Sequence, residues 1–304
     1  MFKKIIIITS VILVVTLGFF IIASIPKKIN LTVIPEAHSF VSLLDEEESL
    51  TFSILINQKN TYITEVANIK AAYICDNEED NLYPIKIDDI TYVDKQRINK
   101  DTYYVYNFTF KSQSIESEFT LTKAYLLLDY KACKMKVYIG SFSSYKVTSY
   151  NNDMLRINNL KGIVNINEGK KVLVGVKFRF KNETKNEVTI TNIKPLNKVL
   201  VVNYCEVNDK EVPSQTNINE LISKPYEQEN YRNFSINQEV ETEVNLLCTL
   251  GYLDDYQIDT LGFKIDFKVN NEVKTMVFAP FTFYQDHEKY VSIKDLTFYQ
   301  VPND

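Results

Sequence analysis

Short runs in which apolar and polar residues alternate recur along most of this chain, and they leave little room for anything but strands. In Leu50-Thr51-Phe52-Ser53-Ile54-Leu55-Ile56 and in Phe263-Lys264-Ile265-Asp266-Phe267-Lys268-Val269 every second side chain is large and apolar. Residues 102–110 and 172–180 follow the same rule, and Asn, Asp, Lys or Gly bounds the runs. Alternation of that kind puts one face of a strand on a core and the other toward water. No long 3.6-residue stripe follows residue 25. The one short helix the pattern predicts is 218–224, with Asn217 as its cap and Pro225 behind it. Residues 36–44 read as ending in a strand that turns at Asp45-Glu46-Glu47-Glu48 into the strand from Leu50.

The alternating runs repeat in order. Residues 50–70 slide without gaps onto 174–194, so that Leu50, Phe52, Ile54 and Ile56 fall on Val174, Val176, Phe178 and Phe180, and Asn68-Ile69-Lys70 on an identical Asn192-Ile193-Lys194. Residues 118–131 slide onto 255–268, with Leu128-Asp129-Tyr130-Lys131 on Ile265-Asp266-Phe267-Lys268. Two ungapped blocks in the same order predict an internal duplication. The expected body is all-β: two tandem immunoglobulin-like β-sandwich domains, 30–150 and 151–304, joined at the polar stretch Ser149-Tyr150-Asn151-Asn152-Asp153. Each copy offers about seven strands at sandwich spacing. Each ends in a hairpin, 126–142 and 263–283, and Asn270-Asn271 suits a tip that needs positive φ. The Cys…Trp…Cys signature of true immunoglobulin domains is absent, since the chain has no Trp. The resemblance is therefore to an architecture.

Ahead of the body, residues 5–25 carry no charge, and 15 of these 21 are Ile, Leu, Val or Phe. As a helix the stretch would be roughly 32 Å long, against a hydrocarbon core of about 30 Å. It is longer than a signal-peptide core, and Ile22-Ala23-Ser24-Ile25 makes a poor cleavage site. The expectation is a transmembrane helix with a cytoplasmic tip at 1–4 and a linker at 26–29. Lys3, Lys4 and the free amine against Lys27 and Lys28 favour a cytoplasmic N-terminus and an extracellular body in a single-pass cell-membrane protein.

Chemistry is harder to find. The only two histidines, His38 and His287, lie far apart, and neither belongs to a metal-ligand spacing. With 7 Gly in the chain, no phosphate-cradling loop or nucleophile elbow occurs, and no cofactor is expected. A net charge of −5 without a basic block argues against nucleic acid. Four cysteines, two per expected domain, permit Cys75–Cys133 and Cys205–Cys248 bridges outside the cytoplasm, or stay as buried thiols. The acidic turn with Asp76, Glu78, Glu79 and Asp80 is a candidate Ca²⁺ loop without the Gly and terminal Glu of an EF-hand; Asp254, Asp255 and Asp259 form a second acidic set. Residues 208–233 hold much of the second copy's extra length, and Tyr226 and Tyr231 there suit an interface. The sequence thus points to a non-enzymatic, membrane-tethered scaffold or accessory subunit that binds another envelope or membrane protein. A module for wall polysaccharide or Ca²⁺ is the alternative, and a carboxylate-dependent hydrolase stands behind that.

Overall fold

A computed structural model describes residues 28–43, 49–98, 100–111, 118–147, 153–167, 170–208, 234–236, 244–252, 260–282 and 296–301. The expected membrane helix, the helix at 218–224, His287, Asp254, Asp255, Asp259, Tyr226 and Tyr231 lie outside the described residues. Among the described residues no helix is long and apolar enough to cross a membrane.

The chain is a succession of strands. The first eight are β1 (Asn30–Val33), β2 (Glu36–Leu43), β3 (Ser49–Ile56), β4 (Ile69–Cys75), β5 (Leu82–Ile98), β6 (Asp101–Lys111), β7 (Phe119–Tyr130) and β8 (Lys134–Val147). There follow β9 (Leu155–Asn167), β10 (Lys170–Asn182), β11 (Val188–Pro195), β12 (Leu200–Asn208), β13 (Phe234–Ile236), β14 (Val244–Tyr252), β15 (Thr260–Val269), β16 (Glu272–Thr282) and β17 (Phe298–Gln300). Two 3-10 turns, Tyr62–Thr64 and Val66–Asn68, are the only helical elements among the described residues.

The alternating residues do what their period requires. Phe52 and Ile54 of β3, Phe108 and Phe110 of β6, Ile74 of β4, Leu126 and Leu128 of β7 and Val137 of β8 form one buried core. Phe178 and Phe180 of β10, Ile190 of β11, and Phe263, Ile265 and Phe267 of β15 form another. Burial of such side chains contributes about 1.5–3 kcal/mol each before the ordering entropy is charged.

The same pairing order appears twice. In the first set β1-β3-β6-β5 lie side by side and β4-β7-β8 make the facing layer; in the second the orders are β9-β10-β14-β12 and β11-β15-β16, the latter with the three-residue β13 added on its β11 edge. These are the four-and-three layers of an immunoglobulin-type sandwich. The ladders also move the sequence match. Ile69 pairs Tyr130, a bulge follows, and Ala71 pairs Asp129; Ile190 pairs Phe267, a bulge follows, and Asn192 pairs Asp266. With Tyr130 matched to Phe267, the counterpart of Ile69 is Ile190. The identical Asn-Ile-Lys triplets stand three residues out of place.

Two strands depart from the simple order. β2 leaves β1 at Ile34-Pro35 and runs parallel to β8, from Glu36 opposite Gly140 to Leu43 opposite Val147. It does not pair with β3, and the expected turn at Asp45-Glu46-Glu47-Glu48 lies outside the described residues. Gly140 permits the entry of β2: its φ is +104°, and a Cβ there would lie 2.1 Å from the Glu36 carbonyl oxygen. At the other edge β17 pairs β1, with Leu31 opposite Tyr299. The sequence division assigned everything after Asn151 to the second domain; residues 298–300 nevertheless complete a sheet of the first set.

Candidate interaction surface

β5 is the longest strand among the described residues, and most of its residues are exposed. Its first four residues pair β4, from Leu82 opposite Cys75 to Ile85 opposite Ala72. The rest turns onto β6, so one strand joins both layers of the first set. Among the described residues β6 is the only ladder partner of residues 87–98, and the far side of that stretch is a sheet edge.

That edge is blunted against simple strand addition. Bulges fall between Ile87 and Asp89 and between Tyr92 and Asp94. Asp88, Asp89, Asp94, Lys95 and Arg97 surround them, and Asp88 pairs Lys111 at 3.4 Å. Bulges and charges are the usual protection of an exposed edge. The second bulge also lifts two apolar side chains out: Val93 is 53% exposed and Tyr92 38%. The Tyr92 ring meets Tyr106 at 5.7 Å and Tyr104 at 6.3 Å between centroids, and the Lys59 ammonium stands 4.4 Å from its own centroid. Asn60, at φ +54°, donates its backbone N–H to the Tyr106 hydroxyl at 3.0 Å, which fixes the loop that carries Lys59. The result is a supported aromatic patch with one cation, the composition that protein interfaces favour. The alternation pattern passes over it because the bulges break the period; the cue in the sequence is adjacent Tyr92-Val93 within a run of charges.

The acidic turn is built differently from a cation loop. One Asp76 carboxylate oxygen accepts from the backbone N–H of Asp80 at 3.0 Å, and the other from the Asn81 amide at 2.5 Å. These bonds, chiefly the one from the Asn81 side chain, hold the Asp76 carboxyl below the usual carboxylate range. Glu79, at φ +64°, pairs Lys136 at 3.1 Å, and the same ammonium donates to the Asn77 carbonyl at 2.6 Å. Asp76 caps the β4–β5 turn and Glu79 staples it to Lys136 of β8. Among the described residues no group of three or more His, Cys, Asp or Glu is arranged to hold a metal ion.

The cysteines separate. Cys75 and Cys133 are free thiols. Cys75 pairs Tyr125 at one end of the β4–β7 ladder, while the Cys133 carbonyl accepts from Tyr130 N–H at the other end, beside Ile69. At about 3.3 Å per residue that separation is far beyond the reach of a disulfide. Of the two alternatives the sequence left open for Cys75 and Cys133, a bridge or free thiols, the structure has two thiols. Cys205 and Cys248 are backbone partners on β12 and β14.

His38 is a core residue on β2. Its Nε2–H donates to the Ile139 carbonyl at 3.1 Å, and the Phe52 ring stands edge-on at 5.0 Å. Burial drives its pKa down to about 4 against the weaker effect of that hydrogen bond. Its own carbonyl accepts from Asn197 Nδ2 at 2.7 Å, and the same amide reaches Ser141 Oγ at 3.0 Å. Tyr145 donates its hydroxyl to the Leu196 carbonyl. Asn197 is fully buried, and Ala37 of β2 belongs to the second core. β2 is thus buried on both faces, one against each strand set.

No protein-family model matches the chain, and no curated protein does. Solved structures align along most of its length at low identity. The C-terminal domain of the antigen I/II polypeptide BspA of Streptococcus agalactiae is 11% identical, over 83% of this chain and 99% of that one, with a TM-score of 0.19. The C-terminal domain of the antigen I/II-family protein AspA of Streptococcus pyogenes is 9% identical over 84% and 99%, at 0.20. A titin structure, Titin-A168169, is 9% identical over 82% and 97%, at 0.17. Scores of this size carry no superposition of whole chains, so the fold rests on the ladders.

Proposed function

We propose that this chain is a membrane-tethered envelope protein whose strand sandwiches bind another envelope protein, and that the patch on the outer edge of β5 is the contact. The observation that carries the reading is the bulged, single-sided stretch 87–98, which presents Tyr92 and Val93 over a braced layer of Tyr104, Tyr106 and Lys59. An enzyme needs groups that converge on a reacting atom; a scaffold needs an anchored apolar centre with a polar rim, and this edge supplies one. Residues 5–25 would tether the body, and the lysine balance would place it outside. The acidic turn favours neither the Ca²⁺ nor the hydrolase reading, because its acceptors serve the turn itself.

The test is a photo-crosslinking amino acid introduced at Tyr92 in the full-length chain in cells, with Val273 on the β15–β16 hairpin as the comparison position. The expected result is one discrete crosslinked protein from Tyr92, lost in a Val93→Asp background and absent from Val273. Equal patterns from both positions, or none from Tyr92, would overturn the contact. Protease added to intact cells should cut the body; a chain cut only after lysis would reverse the orientation.

A further inference from the structure

The first set holds its two cysteines apart, and the second brings its two together. On the ladder between β12 and β14, Cys205 stands directly opposite Cys248, with Tyr204 opposite Thr249 on one side and Glu206 opposite Leu247 on the other. A bulge between Val202 and Tyr204 sits beside the pair. It pins the register, since a slip of one residue would set Cys205 against Leu247 or Thr249. Directly opposed residues of antiparallel strands have Cα atoms about 4.5 or 5.5 Å apart, depending on the hydrogen-bonding pattern. Both values fall in the window of about 4.4–6.8 Å that a disulfide spans.

The corresponding place in the first set sharpens the point. Cys248 pairs Val176 across β10 as Phe108 pairs Phe52 across β3, and Phe108 pairs Ile90 on its other side where Cys248 pairs Cys205. An apolar cross-strand pair in one set is a cysteine pair in the other.

From this register we infer that Cys205 and Cys248 form a cross-strand disulfide that clasps β12 to β14. The reaction joins the two sulfurs and releases two electrons and two protons. A small-molecule disulfide, or an oxidoreductase carrying one, accepts both as its S–S bond opens to two thiols. Neither remaining cysteine competes. Cys75 is buried at the far end of a separate ladder, and burial pushes its thiol up to about 11, which leaves little thiolate to attack. Cys133 has its sulfur 3.2 Å from the Tyr62 hydroxyl. The clasp closes a long chain excursion, since the chain leaves β12 after Asn208, passes through β13 in the other sheet and re-enters the β12–β14 sheet at Val244. In the chain-entropy account a closed loop of roughly 40 residues is a strong constraint on the unfolded chain.

The geometry is independent of the proposed function, but the oxidant in cells depends on the extracellular placement. The experiment separates the two. The purified full-length chain, in detergent, is incubated with oxidised glutathione, its free thiols are alkylated, and its peptides are mapped without reduction. The expected product is one peptide pair linking Cys205 to Cys248, with Cys75 and Cys133 recovered alkylated after denaturation. Dithiothreitol should lower the thermal midpoint by roughly 5–15 °C, and Cys205→Ser with Cys248→Ser should abolish that difference. In the single variant Cys205→Ser, Cys248 should collect a glutathione mixed disulfide. Recovery of Cys205 and Cys248 as separate alkylated or glutathionylated peptides, or linkage of either to Cys75 or Cys133, would overturn the clasp. A bridge that forms in the tube while the same chain drawn from cells is reduced would uphold the clasp and count against the extracellular placement.

Discussion

The two strand sets keep one pairing order and differ at their edges. In the first, β5 starts on β4 and finishes on β6, so a single 17-residue strand crosses between layers. In the second, the same interval is divided: β12 pairs β14 first, and β13 pairs β11 later, in the opposite chain order. The first set also gains β2 on one flank and β17 on the other. Inner strands such as β3 and β10 are held by a ladder on each side and by a buried face, so a change there costs several contacts at once. An edge strand answers to one ladder only and can be rebuilt. The core therefore preserves the repeat, and the edges carry the patch at Tyr92 and the cysteine pair.

The largest expected effect lies where the first set departs from the second, at the entry of β2. Gly140→Ala would place a Cβ 2.1 Å from a backbone oxygen at φ +104°. We expect a loss of about 4 kcal/mol by denaturant unfolding; a loss under 1 kcal/mol would mean β2 is not seated there. Next comes pH. His38 is neutral in the fold down to about 4 and titrates near 6.5 when unfolded, so between these values the unfolded chain binds the extra proton. Stability is full above pH 6.5 and falls as pH drops toward 4, by roughly 3 kcal/mol. His38→Gln should remove that share of the pH slope, and an unchanged slope would place its cause elsewhere.

Much of this fold was legible, for identifiable reasons. Alternation marked β3, β6, β10 and β15, because each lays one face on a core. Asn270 and Asn271 take φ of +54° and +65° at the β15–β16 tip, as their side chains suggested. What the sequence hides is long-range. Nothing in Glu36–Leu43 names a parallel partner a hundred residues away, and nothing in Phe298–Gln300 names β1. The triplet identity misled because Ala72 and Ile193, both buried, are the residues that correspond, and one identical tripeptide cannot locate a bulge. At the candidate sites, the chemistry of the residues was visible but their distances were not: Cys205–Cys248 and Cys75–Cys133 looked alike until the ladders parted them.

Two smaller effects test how closely the sets are joined. Asn197→Ala would leave the buried His38 carbonyl without its donor, at a cost of about 2 kcal/mol. Because Asn197 belongs to the second set and His38 to the first, hydrogen exchange should speed up on both sides of the seam; change confined to residues 188–208 would mean the sets fold separately.

Tyr299→Phe should have the smallest effect and the sharpest address. The Tyr299 hydroxyl accepts from the Tyr138 backbone N–H at 3.0 Å, while β17 stays in place through its pairs with β1 and through Val301 N–H, which donates to the Ile29 carbonyl at 2.8 Å. Loss of one half-buried hydrogen bond costs about 1 kcal/mol. If β17 belongs to the first set, faster exchange should appear at Tyr138 and along β1, with β15 and β16 unaffected. Faster exchange on β15 and β16 instead would return the chain's end to the second set and undo the asymmetry between the two.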